Sequence, residues 1–451
     1  MPKKFKNLFL LFASILFYSW GAPKFIFAIL LTTTIDFYLA KLIDSSENEK
    51  NRKAALLISI IMNVGFLFYF KYFNFFIENF NHLFHKMGAN EILALKIILP
   101  IGISFYTFES ITYLVDVYRR VHKPLQNFWD YQLYILFFPK LIAGPITRYH
   151  EIADQLTGRF ETYKIDHLIQ GFIRFSLGLA KKVLIANTLG QFATAVYDTP
   201  LKDMDSTIAW AGALAYTFQI YFDFSGYSDM ALGLAKMFGF NLPENFDNPY
   251  TSGSITEFWR RWHMTLGNWM KNYLYIPLGG NRVNSKTKLY FNLFLIFILS
   301  GFWHGASWNF LLWGIVHGLF IVMEKVFLLK TLQRIPKVLS VLYMFLIVNF
   351  AWVLFRSDSF GQTLVLWRSM VNFNFIALDI SPDLKLYYLL ATLFSFITLF
   401  SFGKKIQAYF YSPSLSYSSA SILLVISMAL FTICLASIFG SDFNPFIYFR
   451  F

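Results

Sequence analysis

The sequence is poor in charged residues. Asp, Glu, Lys and Arg occupy 14% of its 451 positions, whereas soluble globular proteins carry about 25%. The chain therefore has too little polar surface for a soluble fold of this length. Cysteine is nearly absent, since Cys434 is the only one, and this excludes a disulfide scaffold. Aromatic residues make up 20%, which excludes a disordered chain. A polytopic membrane protein remains.

Basic residues outnumber acidic ones, and the net charge is +13. Lys and Arg lie mostly at the ends of apolar segments rather than on one soluble domain, so we expect no nucleic-acid partner. The expected partner of these residues is membrane lipid, with basic connectors facing the anionic cytoplasmic leaflet. The basic N-terminus and the connectors at 44–53 and 119–123 predict a cytoplasmic N-terminus, and we interpret the first apolar segment as a retained helix.

Apolar segments recur along the whole chain and predict an all-α, polytopic membrane protein of one domain, residues 1–451. A spanning helix needs about 20 apolar residues, which gives about eleven spans plus re-entrant and interfacial helices. Breaks at Pro139, Gly144 and Pro145, and at Pro277, Gly279 and Gly280, indicate re-entrant segments. The candidate segments are 8–20, 25–43, 54–77, 92–115, 131–146, 168–183, 207–222, 290–302, 310–326, 338–355, 384–402 and 420–439.

Residues 221–318 combine polar and aromatic side chains most densely, and we predict that they form the catalytic core region. Asp223, Ser225 and Asp229 lie in an otherwise apolar helix. Carboxylates in membrane segments are costly and usually face an internal cavity. They also serve as purely structural links between helices, and the sequence leaves both interpretations open.

A Trp-rich segment at 257–282 is typical of a helix at the membrane interface. Four basic residues in it are candidates for binding an anionic ligand, because Arg and Lys suit phosphate and carboxylate groups. Anchoring to lipid headgroups explains the same residues equally well. They are Arg260, Arg261, Lys271 and Arg282.

Two histidines follow in the segment 301–318. Gly301 and Gly305 flank His304, and Gly314 and Gly318 flank His317; small residues at this spacing let helices approach closely. At helical spacing His304 and Trp308 are expected to share one face, whereas His304 and His317 are not. No H-x-x-x-H or C-x-x-C spacing occurs, so no metal site is expected.

A buried, neutral imidazole suits acyl transfer to a hydroxyl, because a hydroxyl is a poor nucleophile until a base takes its proton. A dry channel also protects a thioester donor from hydrolysis. Two other classes remain open: a transporter, in which Asp223, Asp229 and the histidines relay protons, and a purely structural membrane protein.

Six segments, taken together, resemble one known family, the membrane-bound O-acyltransferases. The chain looks most like the bacterial branch that O-acetylates cell-envelope polysaccharides. The resemblance implies a helical bundle around a funnel, in the cytoplasmic (inner) membrane, with His304 as the catalytic histidine and His263 as the second functional position. The segments are 100–119, 137–152, 221–250, 257–282, 301–318 and the terminal PFIYFRF, 445–451.

The resemblance also implies ligands and partners. Acetyl-CoA is the expected donor substrate, with no permanently bound cofactor, and Arg260, Arg261, Lys271 and Arg282 are the candidates to hold it. An SGNH-type extracytoplasmic partner is expected to complete the transfer. The residues expected to line the funnel are Asp223, Ser225, Asp229, Trp303, Trp308, Asn309 and His317.

Three acceptor systems compete: peptidoglycan, alginate or another exopolysaccharide, and teichoic acid, which receives D-alanine. The segment LIAGPITRY looks more like the acetylating members than the D-alanylating one. The abundance of Phe, Lys, Ile and Asn indicates an AT-rich genome, which favours peptidoglycan over alginate. The prediction is therefore acetylation of the muramic acid C6 hydroxyl.

Overall fold

A computed structural model describes residues 3–88, 90–159, 164–412, 416–440 and 446. Over these ranges all regular structure is helical, which confirms the predicted all-α class. Most of the predicted terminal segment 445–451 lies outside the described residues. The chain divides into two compact units, Met1–Ile165 with Phe238–Pro243, and Asp166–Met237 with Glu244–Phe451. The predicted core region 221–318 lies in the second unit apart from 238–243.

The first unit contains eight α-helices among its described residues, and a π-helical segment, Phe68–Tyr72, joins the third to the fourth. A buried ion pair joins Lys140 to Glu109, and Glu109 also accepts from the backbone N–H of Thr147. The helices are α1 Lys3–Gly21, α2 Phe25–Ser45, α3 Glu49–Leu67, α4 Phe73–Lys86, α5 Ile103–Tyr118, α6 Phe128–Leu136, α7 Phe138–Leu141 and α8 Tyr149–Gly158.

The helices that follow along the chain carry the predicted core region. π-helical segments at Lys181–Ala186, Lys271–Tyr275 and Glu324–Leu328 continue three of them. The helices are α9 Ile165–Ala180, α10 Asn187–Tyr197, α11 Ser206–Met237, α12 Ile255–Arg261, α13 Met264–Met270, α14 Lys286–His304, α15 Trp308–Met323, α16 Leu329–Leu332, α17 Lys337–Arg356, α18 Phe360–Val371, α19 Pro382–Phe396, α20 Ser401–Phe410 and α21 Tyr417–Phe439.

The described ranges contain five helices long and apolar enough to cross a membrane, or six if one bent pair counts as a span. This agrees with a polytopic membrane protein but does not confirm the count of eleven. The bent pair, Pro382–Leu399 and Ser401–Phe410, turns by 102° within the predicted segment 384–402. The five helices are Phe25–Ser45, Glu49–Lys86, Trp308–Leu332, Lys337–Arg356 and Tyr417–Phe439.

Besides the bent segment 384–402, two more of the predicted segments are not continuous helices. Segment 92–115 is helical only from Ile103, because Pro100 is followed by Gly102 in the left-handed region, with φ 76°. Segment 131–146 is interrupted at Phe137 and again after Leu141, which agrees with the break expected from Pro139 and the glycine that follows.

Close backbone contact between α14 and α15 sets the geometry around His304. A Cβ added to Gly301 would fall on the carbonyl oxygen of Phe310, and one added to Gly314 would fall on that of Phe297. The close helix approach predicted from the glycine spacing is therefore confirmed.

Candidate active site

His304 is the last residue of α14, and its side chain is buried, with 5% of the residue exposed. Three aromatic rings surround the imidazole: its centroid is 5.0 Å from that of Trp303, 5.2 Å from Trp313 and 5.3 Å from Phe355. Trp303 precedes it in α14, Trp313 comes from α15 and Phe355 from α17. The imidazole therefore lies in an apolar, aromatic environment built by three helices.

His317, on α15, is fully buried in the same aromatic cluster. Its Nδ1 accepts a hydrogen bond of 3.2 Å from the indole N–H of Trp259 on α12. Its Nε2 has no hydrogen-bond partner among the described residues. The ring of Trp313 lies 4.8 Å from His317 and 5.2 Å from His304, so one indole contacts both imidazoles.

The expectation that His304 and Trp308 share one helix face is wrong. Helix α14 ends at His304 and α15 begins at Trp308, so the two residues belong to different helices. Trp308 is 59% exposed. The next residue, Asn309, is buried, and its Nδ2 donates a hydrogen bond of 2.7 Å to the carbonyl oxygen of Ser357. Asn309 thus links the start of α15 to the end of α17.

His263 lies between α12 and α13, outside the spanning helices, and is 1% exposed. Its ring is 4.7 Å from that of Phe224 on α11 and 6.2 Å from that of Trp303. Trp303 therefore neighbours both His263 and His304. Burial lowers the pKa of His263 to about 3, because desolvation penalises the charged form. The imidazole is neutral near pH 7.

The two carboxylates predicted to line the funnel are held in ion pairs. Asp223 pairs with Lys182 at 2.5 Å, and Asp229 pairs with Lys181 at 2.6 Å and with Arg174 at 2.8 Å. These ion pairs, together with a hydrogen bond from the hydroxyl of Tyr411, give Asp229 a structural role that is compatible with a place on the wall of a funnel. The third predicted residue of this helix, Ser225, is buried, and its hydroxyl has no hydrogen-bond partner in the described part of the chain.

The four basic candidates for ligand binding are not drawn into one cluster by any described contact. Arg261 pairs with Glu257 at 2.7 Å. Arg260, Lys271 and Arg282 are exposed and form no ion pair within the described ranges. The same ranges contain no group of three or more His, Cys, Asp or Glu residues that could hold a metal ion.

Sequence reasoning missed two side chains that hold this region together. Asn245 contacts His263, and Glu324 accepts hydrogen bonds from the backbone N–H groups of Ile255 and Thr256 at 2.7 and 2.8 Å. The carboxylate of Glu324 thereby satisfies the N-terminal donors of α12. Its position within an otherwise apolar segment is the signal that could have revealed it.

The family comparison covers the two predicted catalytic histidines, His263 and His304. The sequence pattern of the membrane-bound O-acyltransferase family matches residues 114–355. "Probable alginate O-acetylase AlgI" of Pseudomonas aeruginosa is 40% identical over 374 residues, which is 82% of this chain and 71% of that protein. "Peptidoglycan O-acetyltransferase" of Helicobacter pylori is 36% identical over 402 residues, 83% of this chain and 75% of that protein.

A more distant relative is "Teichoic acid D-alanyltransferase" of Streptococcus thermophilus. It is 28% identical over 244 residues, which is 51% of this chain and 58% of that protein. Three findings agree with one another: the family match, the two relatives of whose length this chain covers 71% and 75%, and the long apolar helices. The chain is a multi-pass membrane acyltransferase and belongs to the membrane-bound O-acyltransferase family.

Proposed function

We propose that this acyltransferase moves an acetyl group from cytosolic acetyl-CoA towards a hydroxyl of a cell-envelope polysaccharide. The observation that carries the proposal is the buried imidazole of His304, enclosed by three aromatic rings inside the region that matches the family. The names of the two relatives that cover most of the chain, an alginate O-acetylase and a peptidoglycan O-acetyltransferase, support acetyl transfer.

His304 acts as the general base in this proposal. It takes the proton of the acceptor hydroxyl while the oxygen forms a bond to the acetyl carbonyl carbon. The carbon–sulfur bond of the thioester then breaks, and the thiolate of coenzyme A leaves and recovers a proton. A positioned base typically contributes about 10²–10⁴ in rate. The aromatic surroundings keep bulk water away from the thioester, and His263 orients the acceptor or shares the proton.

The residues that hold the donor belong to the same proposal. Coenzyme A carries phosphates, and Arg260, Arg261, Lys271 and Arg282 are the basic side chains nominated for them. Exposure of Arg260, Lys271 and Arg282 leaves them accessible to the donor and equally to lipid headgroups. The proposed funnel is lined by Asp223, Ser225, Asp229, Trp303, Trp308, Asn309 and His317.

The proposed final acceptor is the C6 hydroxyl of muramic acid in peptidoglycan, reached through an SGNH-type extracytoplasmic partner at the bacterial cytoplasmic membrane. An exopolysaccharide of the alginate type is the second candidate. Sequence identity favours this second candidate, because the chain is 40% identical to the alginate O-acetylase and 36% identical to the peptidoglycan O-acetyltransferase.

The purified protein in lipid nanodiscs and radiolabelled acetyl-CoA provide the test. We expect His304→Ala to stop the transfer of label from acetyl-CoA. The control His85→Ala, at an exposed position in α4, should leave this transfer unchanged. Wild-type transfer by His304→Ala would contradict the assignment. In cells that lack the gene, acetate released by mild alkali from isolated peptidoglycan or from exopolysaccharide identifies the acceptor.

A further inference from the structure

The side chain of Asn245 connects the hydrogen bonds around His263. Asn245 is 1% exposed and lies in the segment without regular structure that follows α11. Its Nδ2 donates to the hydroxyl of Ser228 at 3.1 Å. Its Oδ1 accepts from the backbone N–H of Thr265 at 3.3 Å and from the hydroxyl of Thr265 at 2.9 Å. The third neighbour of Oδ1 is Nδ1 of His263, at 3.1 Å.

These contacts fix which atom of the Asn245 amide is the oxygen. A backbone N–H can only donate, so the atom that faces the N–H of Thr265 must be an acceptor. The atom 3.1 Å from His263 Nδ1 is therefore a carbonyl oxygen. Because an oxygen of this kind cannot donate, Nδ1 of His263 must carry the hydrogen.

The tautomer of His263 follows from this assignment. A neutral imidazole carries one hydrogen, so Nε2 has a lone pair and accepts hydrogen bonds. Nε2 is buried and has no hydrogen-bond partner among the described residues. An unmatched buried acceptor costs about 1–3 kcal/mol, and such groups are expected where a ligand completes them.

The backbone at His263 is also held in an uncommon conformation. Its φ of 45° and ψ of 52° lie in the left-handed region, which costs a non-glycine residue of order 1–3 kcal/mol. The carbonyl oxygen of Asn245 accepts from the N–H of Met264 at 2.9 Å. Asn245 thus contacts both the ring of His263 and the residue that follows it, and stabilises the turn that presents the ring.

We propose that Asn245 is a positioning residue that locks His263 as its Nδ1–H tautomer, so that Nε2 accepts a hydrogen bond from a donor group of the substrate, namely an acceptor hydroxyl. This inference rests on the proposed function and deepens it. A ring locked in this form cannot donate from Nε2 to a thioester carbonyl. It orients the hydroxyl, and the proton that is removed during transfer goes to His304.

The first test observes the tautomer without any substrate. In protein with ¹⁵N-labelled histidine in lipid bilayers, the resonances of His263 are those that disappear in His263→Gln. We expect Nδ1 protonated and Nε2 unprotonated in the wild type at pH 7, and loss of this preference in Asn245→Leu. A wild-type ring protonated at Nε2 overturns the inference.

The second test separates positioning from mere stability. We expect Asn245→Leu to lower kcat by about tenfold or more, a part of the full contribution of a positioned base, with little change in the KM for acetyl-CoA. Asn245→Asp keeps an oxygen for Nδ1–H and recovers most of kcat. The matched control is Asn349→Leu, at a buried amide that bonds Thr217, with kcat expected within about threefold of wild type.

Two results separate the inference from the proposed function. Wild-type kcat in Asn245→Leu, or equal damage by the Leu and Asp variants, overturns the role of Asn245. The expected tautomer in a wild-type protein that never transfers acetyl from acetyl-CoA overturns the proposed function and leaves the tautomer assignment standing.

Discussion

Removal of the carboxylate of Glu324 tests how α12 is held. This side chain is 1% exposed and accepts from the backbone N–H groups of Ile255 and Thr256 and from the hydroxyl of Thr256, at 2.7, 2.8 and 2.6 Å. Glu324→Leu keeps the volume and leaves three donors at the start of α12 unmatched; the hydroxyl of Tyr343, 3.3 Å from the same carboxylate, also loses its acceptor. Thr256 is partly exposed, so the cost is about 1–2 kcal/mol for each donor, or roughly 3–6 kcal/mol in total.

Hydrogen exchange with mass spectrometry measures this cost at the helix concerned. If α12 opens locally, the exchange rate of the peptide that covers residues 253–262 should rise by about 10²–10⁴, since each tenfold change corresponds to roughly 1.4 kcal/mol. Glu324→Gln keeps one acceptor oxygen and should show roughly half of the free-energy loss. Acetyl transfer should fall with it, because α12 leads directly into the turn at His263.

A matched control lies on α12 itself. Glu257 has 30% side-chain exposure, pairs with Arg261 and Lys337 and accepts from the backbone N–H of Gly253 at 2.7 Å. Glu257→Gln keeps an oxygen for that N–H, and solvent screening of the ion pairs should keep its effect below about 1 kcal/mol. Unchanged exchange of peptide 253–262 in Glu324→Leu would refute the reasoning, because the three unmatched donors would then carry no measurable cost.

Two further perturbations test packing and buried charge. Gly301→Ala places a methyl group on the carbonyl oxygen of Phe310 and should lower the stability by about 1–3 kcal/mol, which is measured as a lower Tm. The control Gly65→Ala, at a position with open space around it, should keep or raise the Tm. Equal Tm values for the two variants would contradict the packing argument. Lys140→Met leaves Glu109 buried without its cation and should cost about 3–5 kcal/mol. The double variant Lys140→Met/Glu109→Leu should recover much of the loss, and a double variant as unstable as the single one would argue against the pair.

Much of the fold was predictable because long apolar segments have few alternatives to helix. The segments at 25–43, 310–326 and 338–355 all lie within helices of the structure. Length alone was not sufficient, since segment 92–115 is longer than these three and yet is helical only from Ile103, after Pro100 and the left-handed Gly102. The count of eleven spans stays a prediction, because the length and composition criteria identify five helices of this kind in the described ranges, or six with the bent pair.

The site was predictable only in part. The resemblance nominates His304 and His263. The break between α14 and α15 falls in the gap between the candidate segments 290–302 and 310–326, whereas the expectation of a shared face treated His304 and Trp308 as one helix. The supporting contacts depend on distant pairs: Asn245 and His263 are 18 residues apart, and Glu324 and Ile255 are 69 apart. Hydrogen bonds between such positions leave no periodic signal in the sequence.

The indole ring of Trp313 packs against the buried imidazoles of both His304 and His317. The centroid of its ring lies 5.2 Å from that of His304 and 4.8 Å from that of His317, and closely packed protein interiors transmit small displacements. A smaller residue at position 317 would let the indole relax away from His304, so acyl transfer is expected to weaken although His304 itself is unchanged. Substitutions at the two positions are therefore expected to be coupled rather than additive.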